Sequence, residues 1–317
     1  KCRHGIHLVD RNRNVLISHC HIYNNVGVGI FLDGVNLHQI NIVGSHISYN
    51  RLGGIRIERS EIRNLQITGN DIEYNNHAQY KTEPVPTAEI YVDCTDERAS
   101  VAEVTIASNT IQATVSPGGC NIRVIGVKRN AGYTAHLWSI SGNIIGSQEN
   151  NVHLTGCQGF SIGTNCIYSC DNRNLLIEES RQINLSGNMS RRHAGHFHTG
   201  IRIVKSSDVT ITGCSLHDEH PEGQPTGASL LEIVDSDRIN VTGNQFLDGV
   251  PCGIDVTASR DLLINGNTIH DTREVRKSRH AIRFTGQGSG NILGTNSLGE
   301  TLEKSIQIEP ESGVVAS

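Results

Sequence analysis

The chain is poor in aromatic side chains: they make up 4% of its 317 residues, with a single Trp and a single Met. A core assembled around large rings is therefore excluded, and burial must come from Ile, Val and Leu. Proline is scarce as well, at 7 residues, and no apolar run approaches the roughly 18 residues of a membrane-spanning helix. Long stretches with helical apolar spacing are absent between the aliphatic clusters, so a layered α/β fold would lack its helices. Neither sign of charge dominates, with 32 acidic residues against 27 Lys plus Arg and a net charge of -5. That balance argues against a general nucleic-acid binder. The 36% apolar fraction lies above the disordered range.

Nine cysteines are present (Cys2, Cys20, Cys94, Cys120, Cys157, Cys166, Cys170, Cys214 and Cys252). They are scattered and odd in number, and a chain of this length does not need staples, so they read as structural thiols. Cys166 and Cys170 have the spacing of half a zinc site, but no matching pair follows.

What the sequence does contain is repetition. A four-residue strand cassette recurs throughout, as GIHL at Gly5, GIFL at Gly29, GIRI at Gly54, EIYV at Glu89, NIRV at Asn121 and NVHL at Asn151. It continues as NLLI at Asn174, GIRI at Gly200, LLEI at Leu230, GIDV at Gly253, AIRF at Ala281 and SIQI at Ser305. Between cassettes lies a second pattern, aliphatic-x-Gly-Asn, which puts Asn70, Asn109, Asn143, Asn165, Asn188, Asn244, Asn267 and Asn296 in one slot. Cys20, Ser45 and Cys214 take the same slot elsewhere, so Cys20 and Cys214 are expected to be buried and inert. Irregular spacing between cassettes marks loops inserted at fixed corners of a solenoid. One coil cannot bury its apolar face, but a stack can.

The GIxI and TGN patterns resemble the right-handed parallel β-helix repeats of the pectate-lyase-like superfamily, over nearly the whole chain. That resemblance implies an all-β, single-stranded right-handed parallel β-helix of about twelve coils, residues 1–317 forming a single domain. Lys1 is not a plausible native start and Gly5–Val9 already reads as strand, so an N-terminal cap or earlier coils are expected before it. The superfamily includes polysaccharide lyases, inverting glycoside hydrolases, uronan epimerases, fructan transferases and phage tailspikes. In these proteins substrate lies along one sheet's outer face, between inserted loops. GIRIVK at Gly200 resembles the RIK element of polygalacturonases, which carries over to Arg202 and Lys205. The paired NTD and DD motifs of those enzymes are absent, which tells against pectin-type hydrolysis.

Alternation sends the residue between each cassette's two inward aliphatics to the outer face. Two clusters result. The first holds Asp33, Arg56, Glu58, Tyr91, Asp93, Arg123 and His153. Asp33, Glu58 and Asp93 are the carboxylates expected to hold a metal, Ca²⁺. Arg56 and Tyr91 would bind substrate, while Arg123 or His153 would act as base. The insertion at 74–87, with His77, Tyr80, Lys81, Pro84 and Pro86, would wall it. An inert ladder of opposite charges is the alternative.

The second cluster holds Glu178, Arg202, Glu232, Asp255 and Arg283. Glu232 and Asp255 should lie side by side and divide acid and base roles, with Glu178, Arg202 and Arg283 binding substrate. Histidine-rich insertions bring His193, His196 and His198, then His217, Asp218 and His220, toward the same end, His198 being a further substrate ligand. A third corner carries His270, Arg273, Arg276, Lys277, Arg279 and His280. Val127–Leu137 leaves another corner and would shield the groove or contact a second subunit.

The first expectation is an enzyme cleaving an acidic polysaccharide or oligosaccharide by β-elimination. The alternatives are a glycoside hydrolase or intramolecular glycosyl transferase using the paired carboxylates, and a non-catalytic carbohydrate-binding or tailspike-like module. The expected partner is a uronate-containing saccharide, with neither nucleic acid nor membrane; a homotrimer is allowed. The expected location is secreted, periplasmic or at the cell surface.

Overall fold

The computed structural model describes residues 2–76, 87–193, 200–219 and 227–316. Two compact units divide the chain, Lys1–Cys166 and Ile167–Ser317. Each is a right-handed β-solenoid of short parallel strands, three to a coil. Helix among the described residues is limited to a 3-10 turn at Pro310–Ser312, so none is long and apolar enough to cross a membrane.

In unit 1 one coil reads Ile55–Glu58, Glu61–Thr68 and Asp71–Glu73, and the next Ala88–Asp93, Ser100–Ala107 and Thr110–Gln112. Parallel register stacks like on like. The first strands align Ile30, Ile55, Ile90, Ile122 and Val152, and the second strands align Ile42, Ile67, Ile106, Ile140 and Ile162. The third strands align Ile22, Ile47, Ile72, Ile111 and Ile145. Nearly all of these side chains are fully buried. Unit 2 repeats the arrangement: Leu175, Ile201, Leu231, Ile254 and Ile282 share one column, and Leu216, Phe246 and Ile269 another. The core is a set of aliphatic columns because strand side chains have a period of two and β-branched residues suit that surface.

Polar ladders hold the corners. In the Gly-Asn slot of unit 1, Asn70 N and Nδ2 donate to Asn109 Oδ1 at 2.9 and 3.0 Å, and Asn109 makes the same pair of bonds to Asn143. Each Nδ2 also reaches a carbonyl one coil back, as Asn109 does to Ile67 at 2.9 Å. The residue before each Asn is left-handed, which is why Gly69 and Gly142 stand there (φ 65° and 64°). Ser108 and Thr164 take the same conformation at φ 57° and 55° and bear the steric cost of a Cβ. Two further ladders carry no such sequence flag. Ser180, Ser206, Ser236 and Ser259 bond hydroxyl to backbone at the corner after the first strand in unit 2. Asn25, Asn50 and Asn75 stack after the third strand in unit 1 and end on the fully buried Glu89, whose carboxyl accepts from Asn75 at 2.8 and 2.5 Å.

All nine cysteines are free. Cys214 is buried in the Asn slot, where Asn188 Nδ2 lies 3.9 Å from its sulfur, and burial raises its pKa. Cys20 departs from expectation: it is only half-buried, because no described coil covers the outer side of its corner. The insertion after Ile125 is a hairpin, Lys128–Arg129 with Gly132–Tyr133. Arg129 pins it to the Glu97 and Ala99 carbonyls at 2.9 and 3.2 Å, on the preceding coil's loop.

Candidate active-site clusters

In unit 2 the register places Arg202, Glu232, Asp255 and Arg283 in one outward column on successive strands. Glu232 projects outward because Leu231 and Ile233 on either side are buried, and Asp255 does so between Ile254 and Val256. The carboxylates are nearly closed off, at 13% and 12% side-chain exposure. Burying charge is costly unless it is paired, and both are. Arg202 Nη1 lies 3.1 Å from Glu232 Oε2. Arg283 forks onto Asp255, with Nε at 2.9 Å from Oδ1 and Nη2 on Oδ2. That hydrogen bond raises the Arg283 pKa, outweighing burial.

Two partners of this pair were missed in the sequence. Arg173, 8% exposed, donates Nη2 to Glu232 Oε2 at 2.9 Å. Buried Ser229 spans the carboxylates, its N donating to Glu232 Oε1 at 3.1 Å and its hydroxyl to Asp255 Oδ2 at 3.4 Å. Glu178 stands in the neighbouring outward column, opposite Val204. Lys205 sits at the corner in a left-handed, exposed position. His198, with His196 and His220, lies outside the described residues, as do His77, Tyr80, Lys81, Pro84 and Pro86.

A second acidic group in unit 2 follows the third strands, where Asp218, Asp248 and Asp271 occupy equivalent buried positions one residue beyond in-register partners. Asp248 Oδ2 lies 2.8 Å from His217 Nε2, and Thr272 donates to Asp248 from its N and hydroxyl at 2.5 and 3.0 Å. Burial alone would raise the Asp248 pKa; the bonds from His217 and Thr272 overcome it and bring it to about 2. The same hydrogen bond raises His217. Arg273 closes the group, bonding Asp271 Oδ1 at 2.9 Å and the Asp248 carbonyl at 2.7 Å. His270 bonds Ser297, and buried His280 bonds the Lys304 carbonyl. A readable signal existed: an Asp directly after the third strand in three successive coils.

The unit 1 cluster is also in register, with Asp33, Glu58, Asp93 and Ile125 in one column and Phe31, Arg56, Tyr91, Arg123 and His153 in the next. Its groups are engaged with one another and with neighbouring backbone. Arg56 bonds Glu58 on its own strand, Nε to Oε1 at 2.7 Å, and lies 4.4 Å from the Tyr91 ring centroid. Tyr91 is itself buried against Ala88 and Cys120, so its ring is covered where sugar stacking was expected. Arg59 bonds Asp33, and Thr95 donates to Asp93 Oδ1 from both N and hydroxyl. Arg123 spends its guanidinium on the Val124 and His153 carbonyls and Thr155 Oγ1, at 3.0, 3.2 and 3.0 Å.

Of the carboxylates expected to hold Ca²⁺, Asp33 and Glu58 are thus bridged by Arg59, and Asp93 is held by Thr95. Among the described residues, the group whose ligand atoms converge within 4.8 Å is His46, Asp71 and Glu73. These stand on the third-strand face, which the sequence reading did not survey.

The sequence matches the family described as right handed beta helix region over residues 1–111 and 142–300, and the chain belongs to that family. No curated protein matches it. Among solved structures, DFA-IIIase from Arthrobacter chlorophenolicus A6 in complex with GF2 is similar at 13% identity and TM-score 0.55, covering 86% of this chain and 82% of that one. The mannuronan C-5 epimerase A-module of Azotobacter vinelandii aligns at 12% identity and TM-score 0.51, over 94% and 90%. A tailspike protein of Escherichia coli O157:H7 bacteriophage CAB120 aligns at 10% identity and TM-score 0.57, covering 86% of this chain and 38% of the tailspike. At these identities the likeness is one of fold.

Proposed function

We propose that this chain is a carbohydrate-active enzyme that breaks or transfers a glycosidic bond, with Glu232 and Asp255 as the reacting pair. The observation that carries this reading is the pair itself: two shielded carboxylates in register on adjacent strands, bridged by Ser229. Adjacent strands lie about 4.8 Å apart, closer to the roughly 5 Å carboxyl spacing of retaining enzymes than to the wider gap that admits an inverting water. Glu232, held by buried Arg173 and the Ser229 N–H, is the fixed group and takes the nucleophile role. Asp255, held by the more exposed Arg283 and by the Ser229 hydroxyl, takes the acid–base role. Water or a sugar hydroxyl would complete the reaction.

The names of two structural neighbours, the mannuronan epimerase and the DFA-IIIase solved with GF2, support a saccharide as the substrate class. Elimination at the unit 1 cluster has weaker support, since the Arg123 guanidinium is already hydrogen-bonded to three oxygens.

The test is a panel of neutral and uronate-containing oligosaccharides, with products followed as new reducing ends, transferred sugars and ultraviolet-absorbing unsaturated uronates. Reducing ends or transfer products, lost in Glu232→Gln and Asp255→Asn, support the proposal. Unsaturated uronates, turnover unchanged in both variants, or binding without turnover across the panel overturns it.

A further inference from the structure

A site of different chemistry lies on the third-strand face of unit 1. Register puts His46 of His46–Ser48 beside Asp71 of Asp71–Glu73, and the period of two sends Glu73 to the same side as Asp71. His46 Nε2 lies 3.5 Å from Asp71 Oδ2 and 3.5 Å from Glu73 Oε1. Despite that proximity Nε2 makes no hydrogen bond, and the atom is shut off from solvent. A polar nitrogen so placed forfeits its hydration unless something fills the space between it and the two oxygens.

The surroundings orient the donors. Gln112, one coil on, donates Nε2 to Glu73 Oε2 at 2.7 Å, which holds the carboxylate and leaves Oε1 facing the imidazole. The His46 ring stacks on His21, with centroids 4.7 Å apart and planes 11° from parallel, which fixes the ring's tilt. Such outer contacts are what a ligand set needs to be preorganised. Two carboxylates also face each other across the gap, a repulsion that a cation would relieve.

We infer that His46, Asp71 and Glu73 form a binding site for a divalent transition metal of the Zn²⁺ type. Bonds of about 2.1 Å in tetrahedral geometry place ligand atoms about 3.4 Å apart, close to the two 3.5 Å separations here. An imidazole with two carboxylates suits such an ion better than Ca²⁺, which prefers six to eight oxygens. Three protein ligands leave one coordination position for water or a saccharide oxygen, as in catalytic rather than structural sites.

The experiment uses the full chain stripped with chelator, then titrated with Zn²⁺ or Ca²⁺ by calorimetry and thermal melting, with Co²⁺ absorption as a report on geometry. The expected result is one equivalent of Zn²⁺ bound by the wild type beyond what His46→Ala or Glu73→Gln binds. A rise in Tm on adding Zn²⁺ and a tetrahedral Co²⁺ spectrum should vanish in the same variants. Because all three residues are partly exposed, Glu73→Gln should fold normally and serves as the check should His46→Ala not. Equal Zn²⁺ binding by wild type and variants would assign the ion to other histidines and overturn the site. A response to Ca²⁺ that exceeds the response to Zn²⁺ would overturn the metal class.

Discussion

The outward faces of the first strands in the two units are built from the same residue types, yet they differ in where each charge finds its partner. In unit 1, Arg56 bonds a glutamate two residues along its own strand, one exposed Arg59 serves both that glutamate and Asp33, Asp93 is capped by Thr95, and Arg123 turns to carbonyls and Thr155. In unit 2, Glu232 is gripped by arginines from two different strands, and Asp255 by a third. Ion pairs that rest on an arginine as exposed as Arg59, at 49%, add little stability. Partners drawn from separate strands hold the two carboxylates, only 12–13% exposed, and the proposed reaction rests on that arrangement.

The largest expected effect tests that contrast directly. On a substrate found with the panel, Glu232→Gln and Asp255→Asn should each lower kcat/KM by about 100-fold or more, with the β-sheet circular dichroism of the wild type retained. Glu58→Gln and Arg123→Gln should cost less than about 3-fold. If the unit 1 variants are the inactive ones, the comparison is reversed and proton abstraction at that cluster becomes the better reading.

The next effect concerns stability. Asn109→Ala strips two side-chain donor bonds and leaves the backbone N and Nδ2 of Asn70 without their acceptor. Urea unfolding should show a loss of about 2–4 kcal/mol, the cost of several buried groups left unsatisfied. Ser236→Ala in unit 2 removes one hydroxyl that accepts from Ser206 N and donates to Val234 O, and should cost about 1 kcal/mol. Equal losses would mean that the asparagine ladder carries no special share of the fold.

These ladders also mark how far the sequence could be read. The Asn slot was legible because glycine before it and aliphatics around it repeat at a corner where few other residues fit. The serine ladder was not, since Ser180, Ser206 and Ser236 follow charged residues and look like ordinary turn serines. Alternation gave the columns containing Glu232 and Asp255, because a single buried face fixes register. It could not give Arg173, which lies within the long strand Cys166–Glu178, outside any outward column, and reaches the pair only through its side-chain length. The three metal-ligand candidates were missed for a different reason: third strands of three residues carry too little pattern to draw attention to HIS and DIE.

The same slot in the two units offers a smaller contrast. A maleimide reagent should label half-buried Cys20 in the native chain and leave Cys214 unmodified, as burial both blocks access and raises the thiol pKa. Comparable labelling of Cys214 would mean that the unit 2 corner opens under native conditions.

The remaining effects are those of pH, and their signs differ between the units. Glu89 in unit 1 has its pKa pushed up to about 8, chiefly by burial. The folded chain therefore keeps a proton that the unfolded chain releases near 4.5, and this contribution to stability is lost as pH rises from about 4.5 to 8. In unit 2, Asp248 is lowered to about 2, so its contribution is present above about 4 and lost as pH falls toward 2. His217, raised by its bond to Asp248, adds a contribution present below about 6.5 and lost as pH rises through its folded value. Urea midpoints across pH should then separate the two. Glu89→Gln should flatten the decline between pH 4.5 and 8, and its difference from wild type should shrink toward pH 4. Asp248→Asn should weaken the acid limb below pH 4 and, by proton NMR, return the His217 titration toward that of an ordinary histidine. A wild-type profile flat from pH 4.5 to 8, unaltered by Glu89→Gln, would mean that Glu89 ionises freely and does not end the Asn25–Asn50–Asn75 ladder as a buried acid.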